Sequence, residues 1–271
     1  MTSYIIWDIS PEIFERVKFF RWYGLFWAFG LIGGQWIMFR IYKREGVPGG
    51  EVDKLTLYIL LGAIVGARIG HILFYDPMYY LHNPVEILPV KLDPTFEFTG
   101  LSGLASHGGV LGGLLALYIY NRKFERGYLW LLDRLIIAGS VLGGFIRLGN
   151  LMNSEIIGIP SNLPWAFVFA NVDQVPRHPA QLYEAVFYFL VSILLYLAWR
   201  SGKFYHANGF IFGLGITLIF AQRFFIEFLK ADQVPFEAGM MLNMGQILSV
   251  PLVVVGVVVM VRSRLNSKVN T

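Results

Sequence analysis

Long runs of apolar residues, separated by short polar segments, extend through most of the chain. An α-helix needs about 20 residues to cross a hydrocarbon core of ~30 Å, and seven of the runs are long enough. The pattern therefore predicts seven transmembrane helices, which we number spans 1 to 7. They lie near residues 19–41, 55–75, 104–120, 128–146, 182–199, 209–229 and 242–261.

Two connections between spans are long, at residues 76–103 and 148–181. Both are rich in proline and aromatic residues, and Trp165, Phe167 and Phe169 alternate as they would in a short β-strand. Long loops are usually functional or disordered, and the apolar content argues against disorder. We expect an all-α polytopic membrane protein with seven transmembrane helices. Residues 1–271 form a single transmembrane domain, and the two loops form a small ordered periplasmic cap within it.

Composition supports the membrane assignment. Of 271 residues, 56% are hydrophobic and 15% are charged, whereas a soluble domain carries about 25% charged residues. Cysteine is absent, which excludes disulfides and a cysteine nucleophile, and the five histidines lack the spacing of a metal site. No phosphate loop, dinucleotide fingerprint or nucleic-acid module is apparent. We therefore expect no metal, no cofactor and no nucleic-acid partner.

Basic residues outside the spans or near their ends predict the orientation, because cytoplasmic loops carry an excess of Lys and Arg. One side holds twelve of them and the other holds six. The twelve are Arg40, Lys43, Arg44, Lys54, Arg122, Lys123, Arg126, Arg200, Lys203, Arg262, Arg264 and Lys268. The six are Arg16, Lys18, Arg21, Lys91, Arg177 and Lys230. The C-terminus is therefore predicted to be cytoplasmic and the N-terminus to lie outside.

Many of the 29 glycines recur at four-residue spacing. This spacing lets helix backbones approach closely in lipid. The repeats are Gly62–Gly66–Gly70, Gly30–Gly34, Gly109–Gly113, Gly139–Gly143 and Gly209–Gly213. Close helix packing is the interpretation we favour for most of them, and a glycine-lined substrate path is the alternative.

Apart from Arg21 and Arg40 near the ends of span 1, four arginines lie within the predicted spans or directly at the end of one, where a charged side chain is costly unless it faces a partner or a cavity. Arg134 adjoins Asp133, so a local ion pair or a side chain reaching the interface explains it. Arg68, Arg147 and Arg223 all fall in the outer halves of their spans.

His107 and Tyr23 lie near the outer ends of two further spans, so five polar groups share one depth. The planar arginine fork fits phosphate oxygens, which indicates a phospholipid headgroup as the anionic ligand. An alternative stays open, in which pairs such as Arg223 with Glu227, four residues on, only hold helices together. Likewise, Glu155 could turn back to Arg147, and His107 could be a structural histidine.

Five sequence blocks, which extend in order from about residue 20 to 245, resemble the bacterial prolipoprotein diacylglyceryl transferases. The longest is residues 144–158, GFIRLGNLMNSEIIG. The others are 21–25 (RWYGL), 106–109 (SHGG), 177–184 (RHPAQLYE) and 223–227 (RFFIE). Some members of that family have a tyrosine one turn before the last arginine, where this chain has Ile219.

The resemblance implies an inner-membrane enzyme that acts first in bacterial lipoprotein maturation. It would move the diacylglyceryl group of phosphatidylglycerol to the lipobox cysteine of a preprolipoprotein, forming a thioether and releasing glycerol 1-phosphate. Arg147 and Arg223 match essential arginines, and His107 matches the proposed base for the thiol. The expected substrate-binding residues are Tyr23, Asn150, Glu155, Gly158 and Glu227 from the family blocks and Arg68 from its depth.

Two other classes of protein remain possible from the residues. A transporter or lipid-binding protein could use the same arginines as an anion site, although such proteins often show internal symmetry, which is not apparent here. An intramembrane serine protease would need Ser102 or Ser106 as its nucleophile.

Overall fold

The structure is a computed structural model, and it describes residues 4–14, 20–88, 90–91, 97–98, 103–204, 207–232 and 239–269. About 70% of the chain is helical. The chain forms two compact units: Met1–Ile41 with Leu129–Thr271 is the first unit, and Tyr42–Tyr128 is the second.

Helices account for most of both units, and their bounds follow the apolar runs. They are α1 (Trp22–Arg44), α2 (Gly50–Phe74), α3 (Pro77–His82), α4 (Ser106–Phe124), α5 (Tyr128–Met152), α6 (Ala180–Arg200), α7 (Phe210–Ile226) and α8 (Met244–Val269). Short 3₁₀ turns occupy Pro84–Ile87 and Glu227–Leu229. The strands are β1 (Ile5–Trp7), β2 (Val90–Lys91), β3 (Glu97–Phe98), β4 (Phe167–Phe169) and β5 (Pro176–Arg177).

Six helices of the described chain are long and apolar enough to cross a membrane. They are α1, α2, α5, α6, α7 with the 3₁₀ turn that follows it, and α8. The third predicted span coincides with α4, which is not among the six. Its first turn contains His107 and two glycines, and its last turn contains Arg122 and Lys123, so its apolar stretch is short.

Helix bounds differ from the predicted spans by several residues. Helix α5 continues to Met152, whereas the fourth span was predicted to end at residue 146. Arg147 and Asn150 are therefore both on this helix, three residues apart. The predicted start of span 1, Phe19, lies outside the described residues.

Within the first unit, glycines set the closest helix contacts. A Cβ atom added to Gly30 of α1 would lie 2.7 Å from Leu142 of α5, and one added to Gly213 of α7 would lie 2.6 Å from the carbonyl oxygen of Gly256 on α8. No side chain fits in these spaces. Close packing, the favoured interpretation, is confirmed at these positions.

A buried ion pair fixes the start of α7. Asp133 on α5 accepts hydrogen bonds from the backbone N–H groups of Gly209 and Phe212, each at 2.7 Å. Arg134 lies 3.7 Å from the same carboxylate, and its side chain is 4% exposed. Because the exposed amides at a helix N-terminus favour an anion, this carboxylate acts as a cap. The local ion pair predicted for Arg134 is confirmed.

A three-stranded sheet in the first unit joins the N-terminal segment to the second long loop. Strand β1 pairs parallel with β4, and β4 pairs antiparallel with β5. The Trp7 indole donates a 3.1 Å hydrogen bond to the Leu151 carbonyl. The predicted strand is confirmed at Phe167 and Phe169, whereas Trp165 lies in a turn before it; all three residues of β4, including Val168, are buried.

In the second unit, α2 packs on α4 through glycine on both helices. A Cβ atom on Gly66 would lie 2.7 Å from the Cα of Gly112, and one on Gly70 would lie 2.8 Å from the Cα of Gly108. The predicted ladder on span 2 is confirmed as a packing surface. Its partner surface is Gly108 with Gly112, one residue before the predicted Gly109–Gly113 pair, which makes looser contacts.

Candidate functional site

Three charged side chains meet where α6 begins and α7 ends, within the first unit. The Lys230 ammonium lies 2.9 Å from Glu184 Oε1 and 3.1 Å from Glu227 Oε1. The side chains of Lys230, Glu184 and Glu227 are 3%, 1% and 6% exposed. A cation this deeply buried is stable only with paired carboxylates, and here it bridges two of them.

Arg147 joins this cluster from α5. Its Nε lies 3.3 Å from Glu184 Oε2, and an Nη1–H donates a 3.1 Å hydrogen bond to the Asn150 side-chain oxygen. The Asn150 amide in turn donates to Glu155 Oε1 at 2.7 Å. Glu155 thus reaches Arg147 through Asn150, and the carboxylate that pairs directly with Arg147 is Glu184.

Arg223 lies at the other end of the cluster. Its Nε is 3.8 Å from Glu227 Oε1, so the predicted pairing of these two residues is confirmed. This distance is too long for a hydrogen bond, and the Arg223 side chain is 38% exposed, against 14% for Arg147. Arg223 is therefore the arginine of this site with donors most accessible to a ligand.

The order of contacts along the cluster is Arg223, Glu227, Lys230, Glu184 and Arg147. We call these five residues the charge cluster. The second Glu227 oxygen accepts a 3.2 Å hydrogen bond from Asn243, before α8. Gly245 leaves room for the same carboxylate, because a Cβ atom there would lie 2.7 Å from it.

A strained turn presents Glu155. Ser154 and Ile156, on either side of it, have φ values of +52° and +58°, and the left-handed conformation is unfavourable for a β-branched residue. Gln181, fully buried on α6, donates a 2.6 Å hydrogen bond to the Glu155 carbonyl. The contacts from α5 and α6 therefore hold Glu155 in a conformation that its own sequence disfavours.

Gly158 lies where two backbone segments touch. Its N–H donates to the His178 carbonyl at 3.0 Å, and it forms an isolated antiparallel bridge with Lys230. A Cβ atom here would lie 2.5 Å from the Cβ of His178 and 2.8 Å from the Leu229 carbonyl oxygen. Gly158 thus positions the segment that carries Lys230, which is a structural reason for glycine at this expected substrate-binding position.

Aromatic rings flank Arg147 along α5. Tyr23 lies against Gly149, where an added Cβ atom would be 2.9 Å from its ring. Tyr188 lies against Gly143 at the same spacing. Ile219, which stands where some relatives have tyrosine, is buried at 8% exposure.

Arg68 and His107 belong to the second unit. The Arg68 guanidinium donates to the backbone carbonyls of Glu86 and Ile87, at 2.5 and 2.9 Å, and lies 5.2 Å from the Tyr80 ring. These contacts fasten the first long loop to α2. His107 lies in the first turn of α4 with an exposed side chain. Ser102, the alternative protease nucleophile, lies outside the described residues.

Glu184 and Lys230 belong to the site, although the sequence did not predict either of them as a site residue. Lys230 was counted among the loop charges, yet its side chain is buried between two carboxylates. A signal was available for it, because it follows Glu227 by three residues and so shares a helical face with it. No spacing rule connects Glu184 to Arg147, since these residues lie on different helices.

The charge cluster can bind an anion and stabilise added negative charge. Its buried carboxylates hold Arg147 and Lys230 in fixed positions, and fixed cations in a dry site stabilise a developing anion without reorganising. Arg223, at the exposed end, presents the fork of donors that suits phosphate.

Comparison with known proteins gives one family. The family model for prolipoprotein diacylglyceryl transferase matches residues 11–262. A Bacteroides fragilis protein named phosphatidylglycerol–prolipoprotein diacylglyceryl transferase is 46% identical over 257 residues, covering 93% of each chain. Proteins of the same name from Tolumonas auensis and Chloroherpeton thalassium are 45% and 42% identical. The match to the Tolumonas auensis protein covers 96% of this chain and 97% of that protein. The match to the Chloroherpeton thalassium protein covers 97% of this chain and 95% of that protein.

Proposed function

Because the chain belongs to the prolipoprotein diacylglyceryl transferase family, we propose that it transfers the diacylglyceryl group of phosphatidylglycerol to the lipobox cysteine of preprolipoproteins. The observation that supports this most is the charge cluster, which contains Arg147 and Arg223, the two arginines that match essential arginines of the family. Since the chain has no cysteine, the thiol must come from the protein substrate.

The reaction is a displacement at the glycerol carbon that bears the phosphate ester. A C–S bond forms between the cysteine sulfur and this carbon, and the C–O bond to the phosphate breaks. The electron pair of that bond leaves with glycerol 1-phosphate, and the thiol proton goes to a base. Negative charge therefore grows on the departing phosphate group in the transition state.

In the proposal, Arg223 and Arg147 are catalytic residues that bind the phosphate group. Arg223 has donors open to an incoming headgroup, and Arg147 is held by Glu184 and Asn150. Removing one such donor from an anion-stabilising site typically costs about 10²–10³ in rate. The buried Glu227, and Glu155 acting through Asn150, position these arginines. Tyr23 lies beside them.

His107 is the proposed base for the thiol. An ordinary thiol pKa is about 8.5 and an ordinary histidine pKa is about 6.5, so a positioned histidine can take the proton. The assignment rests on the family block 106–109, and the exposed side chain of His107 is open to a substrate.

We also propose the finer features of the membrane arrangement. Helix α4 is span 3, which completes the seven transmembrane helices of a single domain in the bacterial inner membrane, with the N-terminus periplasmic and the C-terminus cytoplasmic. The loops 76–103 and 148–181 form a periplasmic cap. The distribution of Lys and Arg supports this orientation.

The test is an assay of the purified protein with phosphatidylglycerol and a peptide that contains a lipobox with one cysteine, read by mass spectrometry. We expect the peptide to gain one diacylglyceryl unit, and a peptide with serine in place of cysteine to gain nothing. If folded protein binds the lipid but the peptide mass stays unchanged, the binding or transport alternative is correct.

Variants test the assigned roles in the same assay. We expect Arg147→Ala and His107→Gln to lose transfer while they still fold and insert. Arg262→Ala, an exposed arginine on α8 outside the charge cluster, is the control and should retain it. A folded and fully active Arg147→Ala protein would refute the role of Arg147.

A further inference from the structure

A second candidate binding site lies at the opposite end of the helices that carry the charge cluster. A cavity of about 540 Å³ lies between the last turns of α8 and the segment that follows α6. It is lined by Lys203, Phe204, Ala207, Val261, Arg264, Leu265 and Ser267.

The position of this cavity separates it from the charge cluster. Glu184 is in the second turn of α6 and Arg200 ends that helix, so about 24 Å of helix lies between them. Helix α8 starts beside the charge cluster, because Gly245 in its first turn contacts Glu227. Arg264 lies about 30 Å further along the same helix. A hydrocarbon core is ~30 Å thick, so the cavity and the charge cluster lie at opposite membrane boundaries.

Basic side chains predominate at this end of the first unit, where the acidic Asp133 at the start of α7 is buried and paired with Arg134. The cavity contains Lys203 and Arg264, and neither forms an ion pair with any acidic side chain among the described residues. The segments 185–226 and 239–271 contain no Asp or Glu at all. Such a patch attracts anions.

The lining also has two chemical halves. Val261, Leu265 and Ala207 form an apolar wall. On the other side, the stacked rings of Phe204 and Phe210, whose centroids are 4.1 Å apart, hold the Arg264 side chain. The Arg264 guanidinium lies over both rings, at 5.8 and 5.2 Å. An arginine held by ring faces keeps its N–H edges available for phosphate oxygens.

We propose that this cavity binds the headgroup of an anionic phospholipid, with Lys203 and Arg264 on the phosphate and the apolar wall against the acyl chains. The site is distinct from the charge cluster and lies, in the proposed orientation, in the cytoplasmic leaflet. Basic pockets beside transmembrane helices on that side are a general mode of lipid binding. A ligand with both an anionic head and an apolar body matches both halves of the lining.

The test counts phosphatidylglycerol molecules bound to the purified protein by native mass spectrometry, with rising lipid concentration. The double variant K203Q/R264Q should bind one lipid fewer, or bind that lipid roughly 25-fold more weakly, at about five-fold for each charge. The matched control R200Q/R262Q removes two exposed arginines from the same end, neither of which lines the cavity. It should change binding less than two-fold.

Three results would overturn the proposal. Equal weakening in the test and control variants would show a diffuse charge effect. Equal binding of phosphatidylcholine would show that the anionic charge is not recognised. Displacement of the lipid by millimolar inorganic phosphate would show that a free anion is the ligand. The four substituted side chains are all exposed, so the variants are expected to fold. They are Lys203, Arg264, Arg200 and Arg262.

Discussion

Lys230 and Glu184 are 46 positions apart in the chain, yet their charged groups meet at 2.9 Å in the interior of the protein. The same ammonium contacts Glu227, and Glu184 also contacts Arg147. One buried lysine therefore connects Glu184, which pairs with Arg147, to Glu227, which pairs with Arg223. This connection fixes the relative positions of the two arginines, although Arg147 contacts only Glu184 and Arg223 contacts only Glu227 among these two carboxylates.

Replacing Lys230 with methionine should destabilise the protein strongly. The change leaves Glu184 and Glu227 buried without their shared cation, and breaking a buried pair from one side costs roughly 3–5 kcal/mol. Thermal or denaturant unfolding in detergent measures the loss. Lys230→Arg keeps the charge and is the control; if the methionine variant is as stable as the parent, the bridge does not stabilise the fold.

Arg223→Lys should reduce transfer more than it reduces stability. Lysine keeps the positive charge but lacks the planar fork that binds two phosphate oxygens. Because Arg223 is 38% exposed and 3.8 Å from Glu227, its ion pair contributes little to folding. We expect a rate loss of about 10²-fold at unchanged melting temperature. A variant that melts early but transfers normally when folded would contradict this role.

Adding side chains to the glycine contact between α2 and α4 should disrupt the second unit. In Gly112→Val the new atoms would overlap the backbone of α2, since a Cβ alone would lie 2.8 Å from the Cα of Gly66. Overpacking of this kind costs roughly 1–3 kcal/mol or more. Gly139→Ala on α5 is the control, because nothing lies within 4 Å of its added Cβ. That variant should be neutral or slightly more stable.

Two measurements on one variant distinguish a structural role of Arg68 in the first long loop from a role in lipid binding. If its contacts with Glu86 and Ile87 are its main role, Arg68→Lys should speed amide hydrogen exchange around residues 84–88. A lysine cannot satisfy both carbonyls with the same geometry. If Arg68 instead binds the lipid, as its depth predicted, the variant should raise KM for phosphatidylglycerol while exchange in the loop stays unchanged.

The Asp173–Arg177 pair predicts an acid-dependent loss of stability. Arg177 donates to both carboxylate oxygens, at 2.6 and 3.1 Å to Oδ2 and 3.2 Å to Oδ1, and so holds the pKa of Asp173 below its usual 3.8. The ion pair therefore stabilises the folded state at pH values above the unfolded-state pKa of Asp173. This stabilisation is lost as the pH falls through the lower pKa of Asp173 in the folded state.

For this partly exposed ion pair we expect a contribution of roughly 0.2–1 kcal/mol. The melting temperatures of the parent and of Asp173→Asn, compared from pH 6 to pH 3, measure it. The parent should be more stable at pH 6, and the difference should shrink below about pH 4. A difference that stays constant over this range would exclude the ion pair as its source.

Local hydrophobicity determined where the helices lie, because crossing length and apolar content are properties of a continuous segment. The glycine ladder on α2 and the Arg223–Glu227 pair were also predictable, since residues four apart share one helical face. The family blocks identified Arg147, Asn150, Glu155 and Gly158 as candidates. Helix ends were less predictable, as α5 shows by extending to Met152.

The tertiary structure alone decided which charges pair and how the turns are held. Arg147 contacts Glu184 on another helix, while Glu155, which is nearer in sequence, reaches it only through Asn150. The left-handed conformation of Ile156 opposes its intrinsic preference, and it occurs beside Glu155, which Asn150 on α5 and Gln181 on α6 hold by hydrogen bonds. Pairing depends on where helix ends meet in space, and a pattern along one segment carries no information about that.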